Sequence, residues 1–188
     1  MNKNVIEIEA LDTSKVIITL SNKDYFNGLL DSAVHRFSLD MLIVYKQIIS
    51  NDEEGVTTRT INPSEIENAG LTMDELDSIA KENTARMFPA VVKDFMGMTI
   101  VTNSTGVNGA SAILYSDILS EVADMFDDDV YLIPSSIHEF IVVPASVFVG
   151  MDFAKMIKNV NDSVLAPKEI LSDHPYYFCR KEDAIKIA

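Results

Sequence analysis

Three histidines, His35, His138 and His174, are the side chains best suited to acid–base or metal chemistry at neutral pH, and each stands beside an ionisable neighbour: Arg36, Glu139 and Asp173. A shared metal would require the three rings to converge on one ion, with carboxylates orienting them. The gaps of about a hundred and about forty residues lack the short His-Glu-x-x-His type of spacing by which metal helices declare themselves. No metal and no cofactor is therefore predicted. Ser135 and Ser136, just ahead of His138, suggest a nucleophile and base. However, the strained Gly-x-Ser-x-Gly turn is missing, and adjacent residues on a strand point to opposite faces. Pro134-Ser135-Ser136 is expected to form a turn, with a serine bonding nearby backbone and His138 packing or capping beside it. No catalytic residue is assigned, and the candidate polar site is Ser135, Ser136, His138, Glu139, His35, Arg36, Asp173 and His174.

Other reactive types read more simply. Cys179 follows His174 closely, but no oxyanion element accompanies them, and a small apolar core residue is expected there. Asp127-Asp128-Asp129 lacks the alternating ligands and turn glycine of a calcium loop and reads as a solvated turn. The loop Asn103–Gly109 has two glycines but no phosphate-binding lysine, so a hairpin connection is expected.

The chain has 188 residues, 47% of them apolar and 23% charged, which suits one globular α+β domain over 1–188 or two subdomains, 1–90 and 91–188. Its 29 acidic and 15 basic residues leave a net charge of -14, which argues against binding nucleic acid directly or an anionic membrane surface. Mimicry of nucleic acid is the sharper reading of that charge, and solubility the plainer one. The single cysteine allows no internal disulfide. The alternation in Val5-Ile6-Glu7-Ile8-Glu9 is unlike a signal peptide, and no apolar run reaches the roughly 20 residues of a spanning helix. A soluble cytoplasmic protein is the expectation.

The elements that must position these residues follow from periodicity and caps. Val16–Leu20, Leu39–Ile49 and Val56–Ile61 read as strands, and Asn22 offers an N-cap for a helix bearing Tyr25, Phe26, Leu29, Leu30 and Ala33. Asn62-Pro63-Ser64-Glu65 and Thr72-Met73-Asp74-Glu75 are capping boxes, with Gly70 closing the first helix and Pro89 the second. Met98–Thr102 and Ala110–Leu114 read as strands, followed by a helix capped by Ser116. Val130–Ile133 and Phe140–Val143 read as strands before a helix from Asp152. Tyr176–Cys179 and Ile185–Ile187 suggest a closing hairpin. The class is α+β: mixed or antiparallel sheet with helices packed on it, and a second half of strand-strand-helix rhythm.

Four phrases, Val34-His35-Arg36-Phe37-Ser38-Leu39-Asp40, Lys81–Pro89, Pro134-Ser135-Ser136-Ile137-His138-Glu139 and Leu171-Ser172-Asp173-His174, together resemble an uncharacterised bacterial family of unknown function, over nearly the whole chain from about Ser14. More distantly, Lys81–Ile187 is similar to a second uncharacterised bacterial family. The resemblance implies a fold and no mechanism. The expected role is binding, to an unknown protein or small ligand, without catalysis. The competing readings are a hydrolase or metal-dependent enzyme using the histidines, and an acidic mimic that inhibits a DNA-binding protein. Long apolar strands leave a homo-oligomer open.

Overall fold

Strand β1 (Val16–Asn22) is the β-branched run near the start of the chain, and it pairs antiparallel with β3 (Met41–Asp52) from Val16 opposite Gln47 to Asn22 opposite Met41. The other edge of β3 carries β2 (His35–Ser38) and then β4 (Gly55–Thr60), so one long strand organises a four-stranded sheet. The computed structural model describes residues 10–26, 28, 30–53, 55–95, 98–147 and 149–188.

Helices α1 (Pro63–Ala69) and α2 (Met73–Met87) begin at the two predicted capping boxes, both of which are formed, and Gly70 closes α1 in the left-handed conformation. α2 lies along the free edge of β1. There the Ile18 N–H donates to Thr84 Oγ1 at 2.9 Å, and Asn83 Nδ2 donates to the Val16 carbonyl at 3.0 Å. Side chains of a helix thus occupy backbone groups that an edge strand would otherwise offer to another chain.

The second sheet has six strands, β5 (Ala90–Phe95), β6 (Met98–Asn103), β7 (Val130–Ser136), β8 (Glu139–Pro144), β9 (Tyr176–Cys179) and β10 (Ala184–Ile187), in the order β10-β9-β7-β8-β6-β5. Every strand pairing among the described residues is antiparallel. Helix α3 (Ile118–Phe126) packs toward the inner face, while α4 (Phe153–Ser163) covers the outer one by setting Phe153 and Ile157 against Ile133 and Val143. The inner faces of both sheets share one buried cluster, which runs from Ile18, Leu20 and Tyr45 to Leu132, Phe140 and Tyr176.

The α+β class is observed, with corrections to particular elements. Among the described residues no helix follows Asn22: its side chain instead accepts the Asp24 N–H at 2.7 Å, and residues 23–26, with the buried Phe26, and 30–32 lie in turns. Leu29 of that expected helix is outside the described residues. Ala110–Leu114 is no strand but part of a 3-10 helix, Gly109–Leu114, so the loop before it is not a hairpin connection. Ser116 does not cap α3. Asp117 holds the N-cap position with a left-handed backbone and accepts the Ser116 hydroxyl. Strand β5, hidden behind Pro89 and weakened by Lys93-Asp94, escaped the pattern. Its presence preserves the strand-strand-helix rhythm with β5 and β6 as the first pair. Cys179 is half-buried on β9 and is not a core residue.

Candidate functional site

The polar interruption between β7 and β8 is a bulged end of β7 followed by a turn at Ile137-His138. Pro134 is tolerated there because it sits beside the register shift. Ser136 Oγ accepts the His138 N–H at 3.0 Å, and the Ser135 hydroxyl donates to Glu139 at 3.3 Å. His138 Nδ1 accepts the Asn108 N–H at 3.1 Å, and the His138 carbonyl accepts the Thr102 hydroxyl at 2.8 Å. A backbone N–H can only donate, so Nδ1 is unprotonated and a neutral His138 carries its proton on Nε2. Gly109 lies against this turn so closely that a Cβ would stand 2.6 Å from the His138 carbonyl and 2.7 Å from the Asn103 nitrogen.

His35 and Arg36 serve other contacts. His35 Nδ1 meets the Ala33 carbonyl at 2.8 Å, and its ring packs edge-on to Phe37. Arg36 pairs with Asp74 and lies 4.0 Å from Asp77, whose carboxylate accepts the buried Tyr45 hydroxyl at 2.6 Å. Burial and that carboxylate raise the Tyr45 phenol well above its ordinary pKa.

The third histidine belongs to a constellation whose centre the residue types did not announce. Asp40, at the two-residue turn between β2 and β3, reaches across to the segment entering β9. Its carboxylate accepts from Ser172 Oγ at 2.8 Å, from His174 Nδ1 at 2.9 Å and from the buried Tyr176 hydroxyl at 2.5 Å. Burial works to raise the Asp40 pKa, and the donors from Tyr176, His174 and Ser172 outweigh it, holding the carboxyl below its usual range. Tyr176 is pushed far upward by burial and by the same carboxylate. Asn161 of α4 fixes the segment by donating to the Ser172 carbonyl at 3.1 Å and to Asp173 at 2.8 Å.

This is not a hydrolytic triad. Ser172 is 3% exposed and spends its proton on the carboxylate instead of on the imidazole, so it is neither accessible nor activated. What remains is an imidazole oriented by a carboxylate, with its side chain 55% exposed. The three histidines therefore sit in three different hydrogen-bond sets. Among the described residues, no group of three or more His, Cys, Asp and Glu side chains could hold a metal ion.

The best-formed cavity lies elsewhere, beside the His138 turn. The β3–β4 hairpin projects beyond the point where β1 begins, because β1 stops pairing at Gln47 while β4 pairs as far as Asp52. Ile17 and Thr19 of β1, Thr84 and Phe88 at the end of α2, and the loop after β6 close around the hairpin. The enclosed space is about 350 Å³. Asn103, 4% exposed, shapes that loop: its Oδ1 accepts from the Thr105 and Gly106 N–H groups at 3.1 and 2.9 Å, and its Nδ2 donates to the Val107 carbonyl at 3.0 Å. A more open groove of about 400 Å³ runs past His35 between Ala33, Ile66, Leu71 and Met73.

These features define an α+β domain of two antiparallel sheets on a common core, with a side-chain-lined cavity at the end of the first sheet. The chain belongs to the Family of unknown function (DUF5688), whose model matches residues 3–99 and again residues 94–180. The family expected from the four phrases is thus one of unknown function, as the match is. No curated protein and no solved structure matches the chain. No helix among the described residues is long and apolar enough to cross a membrane.

Proposed function

We propose that the protein is a soluble, cytoplasmic binding protein that holds a small molecule in the cavity between β1, the β3–β4 hairpin and the loop after β6, and performs no catalysis of its own. The observation that carries this reading is the cavity, whose 350 Å³ falls within the range of small-molecule sites and whose walls alternate apolar side chains with hydroxyls and amides. Supporting a role in binding over one in catalysis, the described lining residues include no histidine, cysteine or lysine, and the carboxylate-oriented His174 is not among them.

The test is a ligand-observed NMR screen with neutral aromatic fragments against the native chain and the variant Val56→Trp. Val56 lines the cavity from β4 at 38% exposure, so a larger ring there fills the space without entering the core. Fragments that bind the native protein and lose saturation transfer in the variant, at an unchanged melting temperature, support the reading. Absence of any hit, or hits that Val56→Trp leaves untouched, would sink it.

A further inference from the structure

The cavity's hydrogen-bonding inventory restricts what it can accept. Thr19 is 4% exposed, lies in the middle of β1 opposite Val44, and lines the cavity with a hydroxyl that has no hydrogen-bond partner among the described residues. That hydroxyl opens onto the cavity, so whatever occupies the space, water or ligand, can bond it. The Thr58 hydroxyl and the Asn51 and Asn108 side-chain amides also line the space without side-chain partners among the described residues. Each of these groups can both donate and accept.

Charge is distributed differently. Among the described residues no lysine, arginine or histidine is in the lining, and Lys46, the cross-strand neighbour of Ile17, stays outside it. Among the described lining residues the one ionisable side chain is Asp52, on the exposed hairpin tip. A carboxylate or phosphate entering here would surrender its water to hydroxyls and amides, with no cation among the described lining residues to compensate.

We infer that the ligand is an electrically neutral molecule with hydroxyl or amide groups along one side, which bond Thr19 and Thr58, and an apolar ring or chain along the other, which packs on Phe88 and Ile17. This rests on the binding role proposed above and adds the chemical class of the ligand. Anions are rejected by the missing cation.

Benzamide and benzoate share size and shape, but benzamide is neutral and offers N–H donors where benzoate is an anion that only accepts, which makes them the probes. Their dissociation constants are measured by saturation-transfer titration against the native chain, Thr19→Val and Val56→Trp. The expected result is benzamide binding at least about tenfold tighter than benzoate, with Thr19→Val, which removes the hydroxyl at nearly constant volume, weakening benzamide about tenfold. Benzoate binding as tightly as benzamide, or benzamide indifferent to Thr19→Val, overturns the ligand class. If Val56→Trp still removes both fragments, the cavity remains a binding site and only the class fails. If Val56→Trp removes neither, the binding role falls with it.

Discussion

Two Ser-x-His phrases in this chain are locally alike and globally opposite. In Ser136-Ile137-His138 and in Ser172-Asp173-His174, the serine Oγ accepts the histidine N–H two residues on, at 3.0 Å in each. Beyond that turn they diverge. His138 Nδ1 accepts a backbone N–H from Asn108, whereas His174 Nδ1 donates to the Asp40 carboxylate. The first imidazole is a neutral acceptor that docks a turn against the loop bordering the cavity. The second is half of an acid–base pair on the surface. A local motif sets the direction of the ring, and the partner arriving from far along the chain decides which nitrogen holds the proton.

Breaking the Asp40 side of the comparison should have the largest effect. Asp40→Ala strands the Tyr176 hydroxyl and the Ser172 hydroxyl inside the fold, with an expected loss of about 3 kcal/mol, since bonds to a charged partner contribute about 1.5–3 kcal/mol each. A urea unfolding free energy within about 0.5 kcal/mol of native at unchanged slope would refute the junction. The pH dependence follows from the lowered carboxyl. Its stabilisation is complete above the unfolded-state value of about 4 and is lost as pH falls through the lower native-state value. The stability gap between native and Asp40→Ala should therefore be constant near pH 6 and close toward pH 2. A gap that persists undiminished at low pH would show that the carboxylate charge is not its source.

On the His138 side the sharpest probe is Gly109→Ala, expected to cost about 2 kcal/mol. The atoms a Cβ would meet include the His138 carbonyl and the Asn103 nitrogen, which are backbone and cannot swing away. Thermal unfolding checks this, and an unchanged midpoint would mean that the loop and turn are not in that close contact. The smallest effects discriminate between the histidines themselves. His138→Ala leaves the Asn108 N–H without its acceptor, for about 1 kcal/mol, while His174→Ala removes a bond from a 55% exposed ring, for about 0.5 kcal/mol. Reversal of that order in chemical denaturation would contradict the assignment of His138 to structure and His174 to the surface.

Much of the framework was legible because it is local. The Asn62 and Thr72 boxes place a side-chain acceptor three residues before an N–H in the same helix, and both form as read. Errors arose where distant packing overruled a local pattern. Gly109-Ala110-Ser111-Ala112 has strand-compatible neighbours, yet its small side chains let the backbone press onto the His138 turn as a 3-10 helix. Asn22 has the composition of a cap, yet its carboxamide closes a turn on Asp24 and the described residues after it form turns. Phe26 is then buried by contact with Leu42 and Val44 on the outer face of the first sheet.

The sequence by itself determined the α+β class and the starts of α1, α2 and α4, since each of those starts depends on side chains bonding backbone within a few residues. It marked Asp40, Ser172 and His174 only as parts of separate phrases. Tertiary structure alone brought them together across more than a hundred residues, because a hairpin tip of the first sheet meets the strand entry of the second. It likewise made the cavity, whose walls come from β1, the β3–β4 hairpin, α2 and the loop after β6. A space between elements is a property of their packing, and no one of those segments carries it alone.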